Sequence, residues 1–413
     1  MTTTEIYQHQ RLDSGVELAA LPIEGRRTTA YEIRILAGLA DEPEEKLGLA
    51  RIVDETIDKG SAKRTAREVS DAFDAIGADV SSGVGRESFV FRCSCLPEYV
   101  EQALTLHAEM LRMPVFPEEF VKVALELGQQ ELTALEDDPG ELTRKLLAPH
   151  AFGRLLGRHE LGTRETLEGI TRQDVLSYWR RFFVASRMQM VIAGAVDVPR
   201  IARHVDGLFD GFGQGGADGR TAFRVDFSPG THHHDKELEQ QHILMCWPGV
   251  PVPDDDYAAE RVVLTVLGRG MSSRLFTEVR EKQGLVYSVG AWDDHPRGAG
   301  MIFIGASTTP ARSAQTVRAL LREVDRLSED VTEEEMARAK VRIIAKSQTH
   351  GDITRARAGE LGSDLFHYGR PVPLTEKNER VTAVSVADVR RYLAAHPRDK
   401  LCMMTLGPKV AEN

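Results

Sequence analysis

A few residue groups in this chain have types and spacings that could do chemistry. Arg51, Asp54 and Glu55 stand at i, i+3 and i+4. On a helix they share one face, with the spacing of an intrahelical ion-pair cluster. Arg280 and Tyr287 lie seven residues apart in GRGMSSRLFTEVREKQGLVYSV. A guanidinium offers a forked donor and a phenol an O–H donor, both suited to a peptide carbonyl. His232, His233 and His234 run consecutively, with His242 close behind. His232 and His234 would share a strand face, which permits weak metal capture, but solvated loop histidines are the preferred reading. Cys93 and Cys95 alternate along one apparent strand. A Cys-x-Cys pair alone is a weak metal signal, so buried thiols are the simpler reading. His150 and His159 read as structural. Gly268 and Gly270 lack the spacing of a phosphate-binding loop, and no serine or cysteine sits in a nucleophile elbow.

The elements that must position these groups repeat at an offset of 213 to 216 residues, as Pro97 to Pro310 and Gly153 to Gly369 show. ESFVFRCSCLPEYVEQALTLHAEMLR is answered by AGMIFIGASTTPARSAQTVRALLREV. Each reads as an apolar strand, a proline and an amphipathic helix, and proline suits a first helical turn. Arg154 likewise matches Arg370. Thr171 with Asp174 and Ser385 with Asp388 both look like helix N-caps before a helix and an apolar strand. Val69, Phe73 and Ile76 fall on one helical face, with Gly77 as its C-terminal cap. Residues 273–283 predict a helix ended by Gly284, with Tyr287 opening a strand. The chain is a duplication.

Composition narrows the function. Apolar residues are 42% and charged residues 28%, ordinary for a globular protein. Acidic residues exceed basic ones, 63 against 52, for a net charge of −11. Without a basic block, nucleic acid and anionic membranes are poor partners. No window reaches the ~20 apolar residues of a spanning helix, and no secretory signal is visible at the N-terminus. Four cysteines are too few for a disulfide framework. A cytoplasmic location is the expectation.

GLARIVDETIDKGS (residues 48–61), TAREVSDAFDAIGADV and RESFVFRCSCLPEYVEQAL together resemble the pitrilysin/insulinase family of zinc peptidases, which includes the mitochondrial processing peptidases and core proteins of a respiratory complex. That family carries an inverted motif, His-x-x-Glu-His, on a helix framed by Gly-Leu-Ala and Lys-Gly-Thr. Its two histidines grip one Zn²⁺, the glutamate activates water, and a distant glutamate is the third ligand. Here Gly48, Leu49, Ala50, Lys59, Gly60 and Ser61 keep the frame. The functional positions fall on Arg51, Asp54 and Glu55. A guanidinium has no lone pair to donate. At about 4 Å and an effective dielectric of ~20 its charge repels a divalent cation by roughly 8 kcal/mol. The third-ligand position falls near Ala124, with Glu126 and Glu131 on the same predicted helix. The cluster reads as a salt-bridged relic, leaving no catalytic residue and no metal in this chain.

GRGMSSRLFTEVREKQGLVYSV is similar to the family's C-terminal signature, whose arginine and tyrosine reach the substrate backbone near the zinc. These fall on Arg280 and Tyr287, both intact. The resemblance, from about residue 8 to 408, implies an α+β fold of two homologous domains, 1–206 and 222–413, joined by a Gly-rich linker at 207–221. Each would be a mainly antiparallel sheet with helices packed on one face, together half of a clamshell. It implies a non-catalytic, substrate-binding subunit acting on short or unfolded peptides. The partner would be a homologous zinc-bearing subunit in a heterodimer, or a second copy in a homodimer. A scaffolding homologue without proteolysis is the alternative, and a peptidase with an altered site a third.

Overall fold

The structure, a computed structural model, describes residues 6–213 and 222–409. The first half holds strands β1 (Gln8–Arg11), β2 (Glu17–Pro22), β3 (Thr29–Ile35), β4 (Asp79–Val84), β5 (Phe89–Cys95) and β6 (Met188–Gly194). Its helices are α1 (Leu49–Ile57), α2 (Ala66–Asp74), α3 (Val100–Arg112), α4 (Glu118–Leu135), α5 (Pro139–Leu156), α6 (Arg164–Gly169), α7 (Arg172–Phe182) and α8 (Val198–Phe209). The second half holds β7 (Gly230–Asp235), β8 (Gln241–Gly249), β9 (Ser288–Asp294), β10 (Gly300–Thr308) and β11 (Cys402–Gly407). Its α-helices are α9 (Tyr257–Gly268), α10 (Ser313–Asp330), α11 (Glu333–Gly351), α12 (Thr354–Tyr368), α13 (Leu374–Ala383) and α14 (Val386–Ala395).

The duplication is visible in the sheets. Their strand orders are β1-β2-β6-β3-β5-β4 and β7-β11-β8-β10-β9, identical once β1 is set aside. Each has one parallel pair, β2 with β6 and β7 with β11, and is otherwise antiparallel. Local signals act alike in both halves. Thr171 with Asp174 and Ser385 with Asp388 close capping boxes at α7 and α14. Pro97 and Pro310 each open a short 3₁₀ turn leading into α3 and α10. α2 buries Val69 and Phe73, and Gly77 follows at φ +60°.

Strand alternation divides the side chains of the first sheet between two faces. Leu18, Tyr31, Ile33, Met190 and Ile192 enter the main core, together with Cys93, Cys95 and the apolar stripes of α1 and α3. Ala19, Leu21, Ala30, Val191 and Ala193 point the other way and pack on Ala358, Leu361 and Leu365 of α12. The second sheet directs Ile243, Met245, Trp247, Ile302 and Ile304 to a core shared with α9, α10, α11 and α14.

The chain forms two compact units, one on each sheet. The first takes in Thr349–Pro373 from the second half, and the second takes in Leu135–Gly157 from the first. Each half therefore lends one helix to the other sheet's unit, α12 to the first and α5 to the second. Of the linker expected at 207–221, residues 214–221 lie outside the described residues. Gly207 was expected to break regular structure and does not: α8 continues through it to Phe209, because Ile201, Val205 and Phe209 form an apolar stripe on the core. Among the described residues, no helix is long and apolar enough to cross a membrane.

Candidate functional site

Helix α1 starts after Gly48, whose φ of +95° a side chain would strain. The Ala50 amide at its first turn donates to Glu42 Oε1 at 2.8 Å. Burial pushes the Glu42 carboxyl up to about 8. Leu49, Ala50, Ile52, Val53, Thr56 and Ile57 bury one side of the helix and leave Arg51 and Glu55 on the other. Arg51 pairs with Glu55 at 3.5 Å and with Glu131 of α4. The carboxylate that reaches the motif helix is therefore Glu131, whereas Ala124 is buried in the core. The two are seven residues apart, close to two helical turns, so they share a face and spacing alone does not separate them. Glu126 pairs with Lys122 at 3.9 Å.

These groups do not fit a zinc ion. The first motif position is a permanent cation without a lone pair, and both carboxylates that could serve as ligands are engaged with it.

Asp54, which stands at the position of the motif's glutamate, is mostly buried beside Ser82 of the edge strand β4, and among the described residues one of its carboxyl oxygens has no hydrogen-bond partner. Burial pushes its carboxyl from 3.8 up to about 7, against the opposing pull of Ser82. The native protein thus keeps a proton that the unfolded chain releases. Stability from this group is present below pH ~4 and is lost as pH rises through about 7. Asp54→Asn is expected to raise stability by on the order of 2–4 kcal/mol at pH 8 and to be nearly neutral at pH 4. Urea unfolding at the two pH values measures this, and an equal effect at both would contradict a buried neutral carboxyl.

In the second unit, residues 275–282 form a π-helical segment in which Leu275 and Val279 are buried. Such segments are uncommon, and many occur at functional sites. Gly284 ends it at φ +59°, with its amide donating to Arg280 O at 3.1 Å. Arg280 is exposed, its guanidinium 4.8 Å from the Phe276 ring centre. Tyr287 immediately precedes β9; its backbone amide donates to Ser307 O at 2.9 Å and its side chain is 57% exposed. Among the described residues, the Arg280 guanidinium has no carboxylate partner and the Tyr287 hydroxyl no hydrogen bond. Both donors are free.

Arg274 anchors this segment. Its nearly buried guanidinium holds Glu335 through two bonds at 2.7 and 2.8 Å and Asp330 at 2.5 Å. Arg274→Ala leaves Glu335 without its cation, while Asp330 keeps Arg326 at 2.8 Å, and is expected to cost about 3 kcal/mol in denaturant unfolding. A loss below 1 kcal/mol, about the value of an exposed pair, would show that the network is solvent-screened.

The remaining candidates are placed as follows. His232, His233 and His234 lie in strand β7, not in a loop, because residues 230–235 pair in parallel with β11. His232 stacks on His150 with ring centres 3.8 Å apart. Burial, aided by His232, lowers the pKa of His150. Among the described residues, the metal-ligating side chains that converge are instead Glu260, Asp293 and His295, which the sequence analysis did not single out. Glu260 already accepts the Val250 amide at 2.8 Å and the Tyr392 hydroxyl at 2.7 Å, and Asp293 pairs with Arg269. This is a bonded core network.

Two family models match the chain: insulinase (peptidase family M16) over residues 20–164 and peptidase M16 inactive domain over residues 169–342. An uncharacterized zinc protease of Rickettsia felis is 26% identical over 387 residues, covering 93% of each chain. One from Streptomyces coelicolor is 27% identical over 92% of this chain and 84% of its own. A probable mitochondrial-processing peptidase subunit beta of Arabidopsis thaliana is 25% identical, covering 96% of this chain and 77% of its own. In fold, the chain matches the crystal structure of a peptidase M16 inactive domain from Pseudomonas fluorescens with a TM-score of 0.91 and 21% identity, covering 98% of this chain and 99% of that one. A Helicobacter pylori protease matches with a TM-score of 0.88 at 15% identity, covering 98% of this chain and all of that one.

Proposed function

Because this chain belongs to the insulinase (M16) family of peptidases, we propose that it is the non-catalytic, substrate-holding subunit of a zinc peptidase acting on short or unfolded peptides. The observation that carries the reading is an asymmetry between two signatures. At the inverted motif, Arg51 and its ion pairs with Glu55 and Glu131 stand where zinc ligands are required. At the C-terminal signature, Arg280 and Tyr287 are retained and exposed, and among the described residues neither the guanidinium nor the hydroxyl has a hydrogen-bond or ion-pair partner. A chain with only a packing role has no use for two unpaired donors at that spacing.

On this reading Arg280 and Tyr287 bind the carbonyl of the scissile peptide bond. Their N–H and O–H donors become more strongly bound as negative charge develops on that oxygen. The zinc, which activates water, would come from a homologous partner carrying His-x-x-Glu-His. The relatives named zinc proteases, and the one named as a subunit, support such a division of labour.

The test is hydrolysis of an unstructured peptide by this chain alone, by a zinc-bearing homologue alone, and by the mixture. The expected result is no cleavage by this chain and activity that requires both. A homologue as active alone as in the mixture would leave this chain a scaffold, and zinc-dependent cleavage by the chain alone would overturn the reading.

A further inference from the structure

Between the end of α9, the start of the loop at 269–273 and α11 lies a recess of about 110 Å³, within the second unit. Three arginines line it: Arg269 from the loop, and Arg338 and Arg342 from α11, one helical turn apart. Ser272 completes the loop side. Arg269 is paired with Asp293 and Arg338 with Glu334. Arg342 has no ion-pair partner among the described residues, and the Ser272 hydroxyl has no hydrogen bond. The single carboxylate on the lining, Glu335, is committed to Arg274 and to the amide of Thr332. The loop is shaped to admit the free guanidinium. Gly270 has φ +114°, and a Cβ there would stand 2.9 Å from Arg342 Nη1.

We infer that this recess is a binding site for a tetrahedral oxyanion, specifically inorganic phosphate or the phosphoryl group of a small phosphate monoester. Arginine forks match phosphate oxygens in geometry and keep their charge at every physiological pH. Ser272 adds a neutral donor. The volume takes one phosphoryl group, so the organic part of a monoester stays outside and a nucleotide finds no place for its base. The site is independent of the peptide-holding role assigned to Arg280 and Tyr287. A bound phosphate would tie α11 to the loop that leads into the π-helical segment.

Calorimetric titration of the full chain with sodium phosphate, at constant ionic strength set with chloride, tests the assignment. Saturable one-site binding is expected, weakened about tenfold or more by Arg342→Ala, as befits loss of a charge-assisted bond. Because Arg342 has no partner to leave behind, that variant should melt like the wild type in phosphate-free buffer. If it does not fold, Ser272→Ala serves instead, with a loss of about threefold for a neutral hydrogen bond. Parallel titration with glycerol phosphate distinguishes the sources: tighter binding than phosphate marks a monoester ligand, weaker binding the free ion. Absence of saturable binding, Arg342→Ala binding like the wild type, or equal displacement by chloride would each overturn the site.

Discussion

In the reconstituted pair, Arg280→Ala is expected to lower kcat/KM for peptide hydrolysis by about 10²–10³-fold, the usual cost of removing one preorganised donor from a developing oxyanion. Tyr287→Phe should cost about tenfold or more, because a phenol contributes one neutral donor where the guanidinium contributes a charge. The loss should appear mainly in kcat if these donors bind the transition state more tightly than the substrate, and mainly in KM if they only hold the peptide. Neither variant should destabilise the chain: Arg280 is exposed and stacks on the Phe276 ring, and the Tyr287 side chain is largely in solvent. Equal melting temperatures with lost activity would separate this role from a structural one. A pair carrying both substitutions that cleaves as fast as the wild type would remove these residues from the reaction.

What the sequence made legible was mainly local. A capping residue, an N1 proline or a glycine after a helix acts through neighbours a few positions away. Thr171, Ser385, Pro97, Pro310 and Gly284 therefore do in the structure what their spacing suggests. The duplication was legible because both halves repeat these marks in one order. What depends on distant partners was not legible. Residues 230–235 are too polar to read as a strand, and what makes them one is pairing with β11, about 170 residues further along the chain. The exchange of α5 and α12 between units leaves no local mark, since the sheet each packs with is built from strands distant in the chain. The π-helical register at 275–282 changes the hydrogen-bond spacing but not the apolar stripe, so it reads as an ordinary helix. The third-ligand position, expected near Ala124 with Glu126 and Glu131 on the same helix, was open for the same reason, because one helix face offers residues 124 and 131 alike. What the fold adds is that the carboxylate reaching Arg51 is that of Glu131.

That ion pair allows a stronger test of the claim that the metal site was lost by substitution rather than by refolding. The triple variant Arg51→His, Asp54→Glu and Glu55→His is expected to bind about one zinc per chain, whereas the wild type should bind none after dialysis. Positions 51 and 55 lie one turn apart on α1 and project together, and Glu131 already reaches position 51 from α4. Replacing the guanidinium removes the roughly 8 kcal/mol repulsion it would exert on a divalent cation at about 4 Å and an effective dielectric of ~20, and supplies a nitrogen lone pair in its place. Two imidazoles, a carboxylate and a water complete the four-coordinate set of a catalytic zinc. Adding Glu131→Gln to the triple variant should abolish stoichiometric uptake, since a zinc site held by two histidines alone lacks its anionic ligand. Metal analysis of the dialysed proteins reads all three cases. A triple variant that stays empty would mean that α1 and α4 no longer hold the family's geometry. Uptake unaffected by Glu131→Gln would place the third ligand elsewhere on α4.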